Sequence, residues 1–157
     1  MRSLSLFRGA WIAAMCSAGA SGAAVAQANR WEQQVRDQLQ RALTTLGVKQ
    51  SERAAATRTG VLNAEESEWF AVTLERGVSY SIIGVCDNDC AWLQLVLTTP
   101  DRNEIATDRS GENFPVLRFT PTETRPFHVK VVMEACQVSP CWYGVAVARS
   151  NGGIERD

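Results

Sequence analysis

The chain has 157 residues, five cysteines, one histidine and a formal charge of −1 from 16 basic and 17 acidic side chains. That length suits one domain with a short appendage, and the charge balance excludes the basic stripe a nucleic-acid binder needs to neutralise phosphates, since the only lysines are Lys49 and Lys130. Acidic membrane surfaces are excluded as partners on the same ground, and a single histidine confines any Ser-His-Asp or Cys-His proposal to one position.

Residues 1–26 read as an export leader. Arg2 and Arg8 make a positive start, residues 9–20 are mostly apolar, and Ala24-Val25-Ala26 satisfies the small-x-small rule for cleavage, with Ala26-Gln27-Ala28 as a second candidate. A membrane anchor needs about twenty strongly apolar residues, and this stretch is diluted by Ser17, Gly19, Ser21 and Gly22. Lipid attachment at Cys16 is disfavoured by Met15, which stands where that processing prefers a small residue. The expectation is a periplasmic or secreted protein with no membrane contact after cleavage.

Residues 29–47 are predicted to form an amphipathic helix. Trp31, Val35, Leu39, Ala42, Leu43 and Leu46 recur at helical spacing, with Glu32, Arg36, Asp37 and Arg41 on the other faces. Asn29 and Glu32 fit a capping box, and Gly47 fits a left-handed stop. The apolar stripe is expected to dock on the parent domain; the alternative is a helix that seizes a partner's groove. Residues 48–58 are polar and Ala-rich and read as a connector.

From residue 59 to 150 the pattern becomes β. Strands are predicted over Glu68–Leu74, Val78–Val85, Trp92–Thr98, Glu104–Thr107, Val116–Thr120, Phe127–Ala135 and Trp142–Arg149, divided by turn sequences such as Glu75-Arg76-Gly77 and Pro100-Asp101-Arg102-Asn103. Three rows are predicted to line the core: Phe70, Val72 and Leu74; Leu93, Leu95 and Leu97; and Phe127, Val129, Val131 and Met133. Ile83 and Val85, opposite Tyr80 and Ile82, mark a strand covered on both faces. Short, evenly spaced strands define a mainly β fold, an antiparallel β-sandwich with one N-terminal helix, followed by a tail over 151–157.

Cys86, Cys90, Cys136 and Cys141 suit either disulfides or a zinc site. Export favours disulfides. Of three connectivities, local bridges Cys86–Cys90 and Cys136–Cys141 are expected, because Asp87-Asn88-Asp89 and Gln137-Val138-Ser139-Pro140 can reverse the chain. Asp87 and Asp89 also invite a calcium reading, which lacks the glycine and terminal glutamate of an EF-hand loop, so a solvated turn is the favoured alternative. His128 lies opposite a core row and is assigned no catalytic role; Glu65, Glu66 and Glu68 read as a solvated strand entrance. No phosphate cradle, nucleophile elbow or metal-binding histidine pair occurs. Trp69, Trp92, Trp142 and Tyr143 are the candidate ligand platform, with burial as the competing fate and the helix as a possible cover for Trp69 and Trp92.

From Gly60 to Val147 the chain resembles the bacterial pre-peptidase C-terminal domain. The resemblance rests on Gly60-Val61-Leu62, Gly77-Val78-Ser79-Tyr80, Cys86-Asp87-Asn88-Asp89-Cys90, Pro121, and Cys136 through Pro140-Cys141-Trp142-Tyr143-Gly144-Val145. It implies a jelly-roll-like β-sandwich without catalytic residues, usually an accessory to exported peptidases, with some relatives binding matrix polymers or calcium. Ala91-Trp92-Leu93-Gln94-Leu95 replaces the family's Asp-Leu-Asp-Leu, and Arg125-Pro126-Phe127 replaces a Gly-Thr-Tyr-like entrance, so calcium binding at this strand is not carried over. The expected function is non-enzymatic binding of a protein or glycan at the cell envelope; the alternatives are a folding accessory acting through the helix, and a hydrolase or zinc-binding domain.

Overall fold

The computed structural model describes residues 21–48 and 54–150. One helix, α1 (Ser21–Thr45), precedes eight strands: β1 (Ala56–Leu62), β2 (Glu66–Leu74), β3 (Tyr80–Cys86), β4 (Cys90–Thr98), β5 (Glu104–Asp108), β6 (Val116–Phe119), β7 (Arg125–Cys136) and β8 (Cys141–Arg149). They form two four-stranded sheets of order β1-β8-β3-β6 and β2-β7-β4-β5. Every pairing is antiparallel, and every connection except β4–β5 passes from one sheet to the other. This is jelly-roll order.

Alternation explains the core. Val72 and Leu74, Leu93, Leu95 and Leu97, and Phe127, Val129, Val131 and Met133 are all buried, and Phe70 packs against them from the margin. Facing them from the first sheet are Tyr80, Ile82, Tyr143, Val145 and Val147. Ile83 and Val85, on the reverse of β3, join Ala146 and Ala148 of β8 in a second cluster with Val35, Leu39, Ala42 and Leu43 of the helix. A Cβ on Gly144 would lie 2.7 Å from Val35 Cγ1, so the bare backbone of β8 is what lets the helix settle so closely. The stripe Gly144, Ala146, Ala148 makes this sheet the helix's seat.

Several expectations need correction. The expected leader falls mostly outside the described residues, as do Cys16 and the tail over 151–157, and α1 starts at Ser21 inside the leader's last residues. Asn29 is therefore within the helix and not at its start; the alanines before it are strong helix formers and extend the turn pattern backwards. Gly47 does end the helix, with φ +76°. Its N–H donates to Thr44 O (3.1 Å), Val48 N–H donates to Leu43 O (3.0 Å), and Val48 packs on the Leu43 cluster, which is a Schellman closure. The connector drawn over 48–58 ends early because β1 begins at Ala56. This strand was invisible to alternation: only Leu62 at its end is buried.

Candidate functional site

The helix covers one sheet, and the outer face of the other carries the most distinctive side chains. On β2-β7-β4 the residues alternating away from the core are Trp69, Ala71 and Thr73; His128, Lys130, Val132 and Glu134; and Gln94, Val96 and Thr98. Register sets Trp69, Lys130 and Val96 side by side, with Ala71, His128 and Thr98 in the next row.

Trp69 is the centre of this face. Lys130 Nζ stands 5.3 Å from its ring centroid, and the Arg102 guanidinium, reaching back from the β4–β5 turn, stands 5.3 Å from it too. His128 meets it edge-on at 6.5 Å and 76°. A cation near an aromatic face is attracted by the ring quadrupole, so Trp69 holds two positive groups in place. Among the described residues neither Arg102 nor Lys130 forms a salt bridge. Farther along the face Arg109 does, to Glu104 at 2.8 Å. Gln94, with its amide oriented to satisfy both neighbours, donates to Glu134 Oε1 (3.0 Å) and accepts from Arg109 Nε (2.8 Å). Beneath these side chains Val96, Val132 and Thr98 are buried, and Thr98 Oγ1 has no hydrogen-bond partner.

The four expected aromatics do not form one platform. Trp69 and Trp92 are on the sheet that the helix does not touch, so the helix covers neither. Trp92 adjoins a bulge in the β4–β7 pairing, which breaks alternation there, and its indole Nε1 is buried without a partner. Trp142 packs against the helix cluster on the first sheet. Tyr143 is fully buried in the core, which removes it as a ligand surface. Its ring lies across Gly60, where a Cβ would be 2.7 Å from the hydroxyl. Burial, and then the Glu68 carboxylate, push the Tyr143 phenol far above its ordinary value, with Arg58 opposing. Arg58 and Glu68 are themselves paired at 2.9 Å, linking β1 of one sheet to β2 of the other.

The cysteines are bridged Cys86–Cys90 and Cys136–Cys141. Both bridges stand at one end of the sandwich, where Gln137 N donates to Asp89 O (2.7 Å) and Ala64 N donates to Ser139 Oγ (3.3 Å). Asp87 is 2% exposed and belongs to this tie: Trp142 N donates to its Oδ2 at 2.8 Å, and its own N–H donates to Trp142 O at 3.0 Å. Burial first, and Asp89 nearby, raise its carboxyl above the usual range against the opposing pull of the Trp142 N–H. Among the described residues no three His, Cys, Asp or Glu side chains gather where they could hold a metal ion. A groove of about 390 Å³ lies between the helix and the β5–β6 loop, with Arg41, Leu46, Val85 and Phe114 on its walls.

Arg102 escaped the sequence reading because it sits in a turn; its one detectable signal was an arginine occupying a turn position that favours glycine or asparagine. No family model and no curated protein matches the chain. In fold it is similar to the pre-peptidase C-terminal domain of a collagenase from Bacillus anthracis, at 13% identity and TM-score 0.49, covering 60% of this chain and 89% of that one. It is also similar to PliG of Aeromonas hydrophila, a periplasmic inhibitor of g-type lysozyme, at 9% identity and TM-score 0.41, covering 63% of this chain and 90% of that one.

Proposed function

We propose that this chain is a non-enzymatic, exported module that binds a protein partner at the cell envelope through the outer face of β2-β7-β4. The observation that carries the reading is the contrast between the two sheets. One is sealed by the helix, whereas the other presents Trp69 with two cations that form no ion pair among the described residues. Tryptophan and arginine are the residues most enriched where protein interfaces concentrate their binding energy. Two disulfides suit an oxidising compartment. The helix-accessory alternative is weakened because Val35, Leu39, Ala42 and Leu43 are already buried against the sandwich.

Immobilised mature protein incubated with envelope extract tests this reading. Wild type is expected to retain a specific protein that Trp69→Ala and the charge reversal Lys130→Glu both release, with unchanged circular dichroism. Equal capture by wild type and both folded variants would sink it.

A further inference from the structure

Resting on that reading, we infer that the partner presents an acidic segment, whose carboxylates are received by Arg102 and Lys130 beside the Trp69 ring system. Three observations converge on this chemistry. The ring is already engaged by a guanidinium and an ammonium at 5.3 Å each, and a sugar would need a bare ring face on which to stack. The same two cations have no acid partner among the described residues, while Arg109 on the same face has Glu104. Their positive charge is therefore presented outward, and it is complementary to carboxylates.

The third observation is the backbone of Arg102. Its φ is +64°, the left-handed region in which a side chain is disfavoured and glycine is at ease. The turn is locked there by Arg102 N donating to Thr99 O (2.9 Å), Thr99 N donating to Asn103 O (2.9 Å) and Asn103 N donating to Thr99 Oγ1 (3.1 Å). A residue kept in a strained conformation points to a use for its side chain. Here that side chain crosses to Trp69.

The test uses the full mature protein, a glutamate-rich synthetic peptide, polygalacturonate as an acidic glycan, and a Gly/Ser peptide as the neutral control. The glutamate peptide is expected to bind, to shift the Trp69 indole resonance in NMR spectra assigned with Trp69→Phe, and to weaken as salt rises. Arg102→Gly is expected to keep or raise the melting temperature, because it relieves the positive φ, and to weaken binding; Arg102→Gly with Lys130→Gln is expected to weaken it about tenfold or more. A structural role for Arg102 predicts the opposite effect on stability. Binding of polygalacturonate in place of the peptide overturns the acidic-protein assignment, as does binding of neither or equal binding by Arg102→Gly. If envelope capture fails with Trp69→Ala but survives in the Arg102/Lys130 double variant, the protein-binding reading stands and this inference falls.

Discussion

At the scale of single residues, two aspartates are shifted in opposite directions for opposite reasons. Asp87 is buried with one oxygen unpartnered, and its carboxyl is raised. The stability associated with it is fully present below the ordinary aspartate value of 3.8 and is lost as pH rises through the raised one. Asp87→Asn keeps an acceptor for the Trp142 N–H and removes the buried charge, so urea midpoints measured across that range are expected to lose this downward slope. Asp108 is also partly buried, which raises its carboxyl, but the Val116 N–H (2.8 Å) and Ser110 N–H (3.0 Å) outweigh burial and bring it below 3.8. Its stabilisation is present above 3.8 and is lost as pH falls through the lowered value. Asp108→Ala is expected to cost about 1–3 kcal/mol in chemical unfolding, the usual loss for hydrogen bonds to a charged group. Gly60 offers a third test. Alanine there would meet the Tyr143 ring at 2.7–2.9 Å from three of its atoms, and the overpacking is expected to cost about 1–3 kcal/mol as a lowered thermal midpoint.

At the scale of elements, the seat of the helix is a contact between Val35 and the gap at Gly144. Gly144→Ala is expected to destabilise by about 1–3 kcal/mol, and Val35→Ala by a comparable amount through the cavity it leaves. Combined, they should cost clearly less than their sum, because the new methyl occupies the vacated space; additive losses in a double-mutant cycle would contradict this docking. Alternation made the three buried rows legible in the sequence, since leucine, valine and phenylalanine recur at period two along strands long enough to show it. It failed at β1, where Thr57, Arg58 and Thr59 give an edge strand no apolar row, and at Trp92, where a bulge interrupts the period. The choice of sheet for the helix was written in Gly144, Ala146 and Ala148, but small residues announce themselves only once the approaching surface is known. The site was half legible. Lys130 and His128 were placed on the outward face by parity, whereas Arg102 joins them through a turn conformation and a side-chain reach that no periodicity encodes.

At the scale of the whole molecule, both disulfides reinforce the same end of the sandwich. Each closes a short loop, and by the chain-entropy model each contributes about 2 kcal/mol. Reduction is expected to lower the urea midpoint and to loosen the ties between Gln137 and Asp89 and between Asp87 and Trp142, seen as faster amide exchange there. Exchange near Arg102, at the other end of β4, should stay unchanged. Alkylation of the denatured protein followed by peptide mapping is expected to leave Cys86, Cys90, Cys136 and Cys141 all unmodified.

The strand order carries a further consequence for biogenesis. β8 is the central partner of both β1 and β3, and β7 joins β2 to β4, so each sheet is closed by segments from the far end of the chain. Non-local pairing of this kind makes folding slow, because long loops must close before contacts reward them. A chain emerging in order from its N-terminus completes β2-β7-β4-β5 only when Cys136 is free, and β1-β8-β3-β6 only when Arg149 is. Such a polypeptide stays an open thread for most of its synthesis, and the layer that carries Trp69 can close before the one that seats the helix.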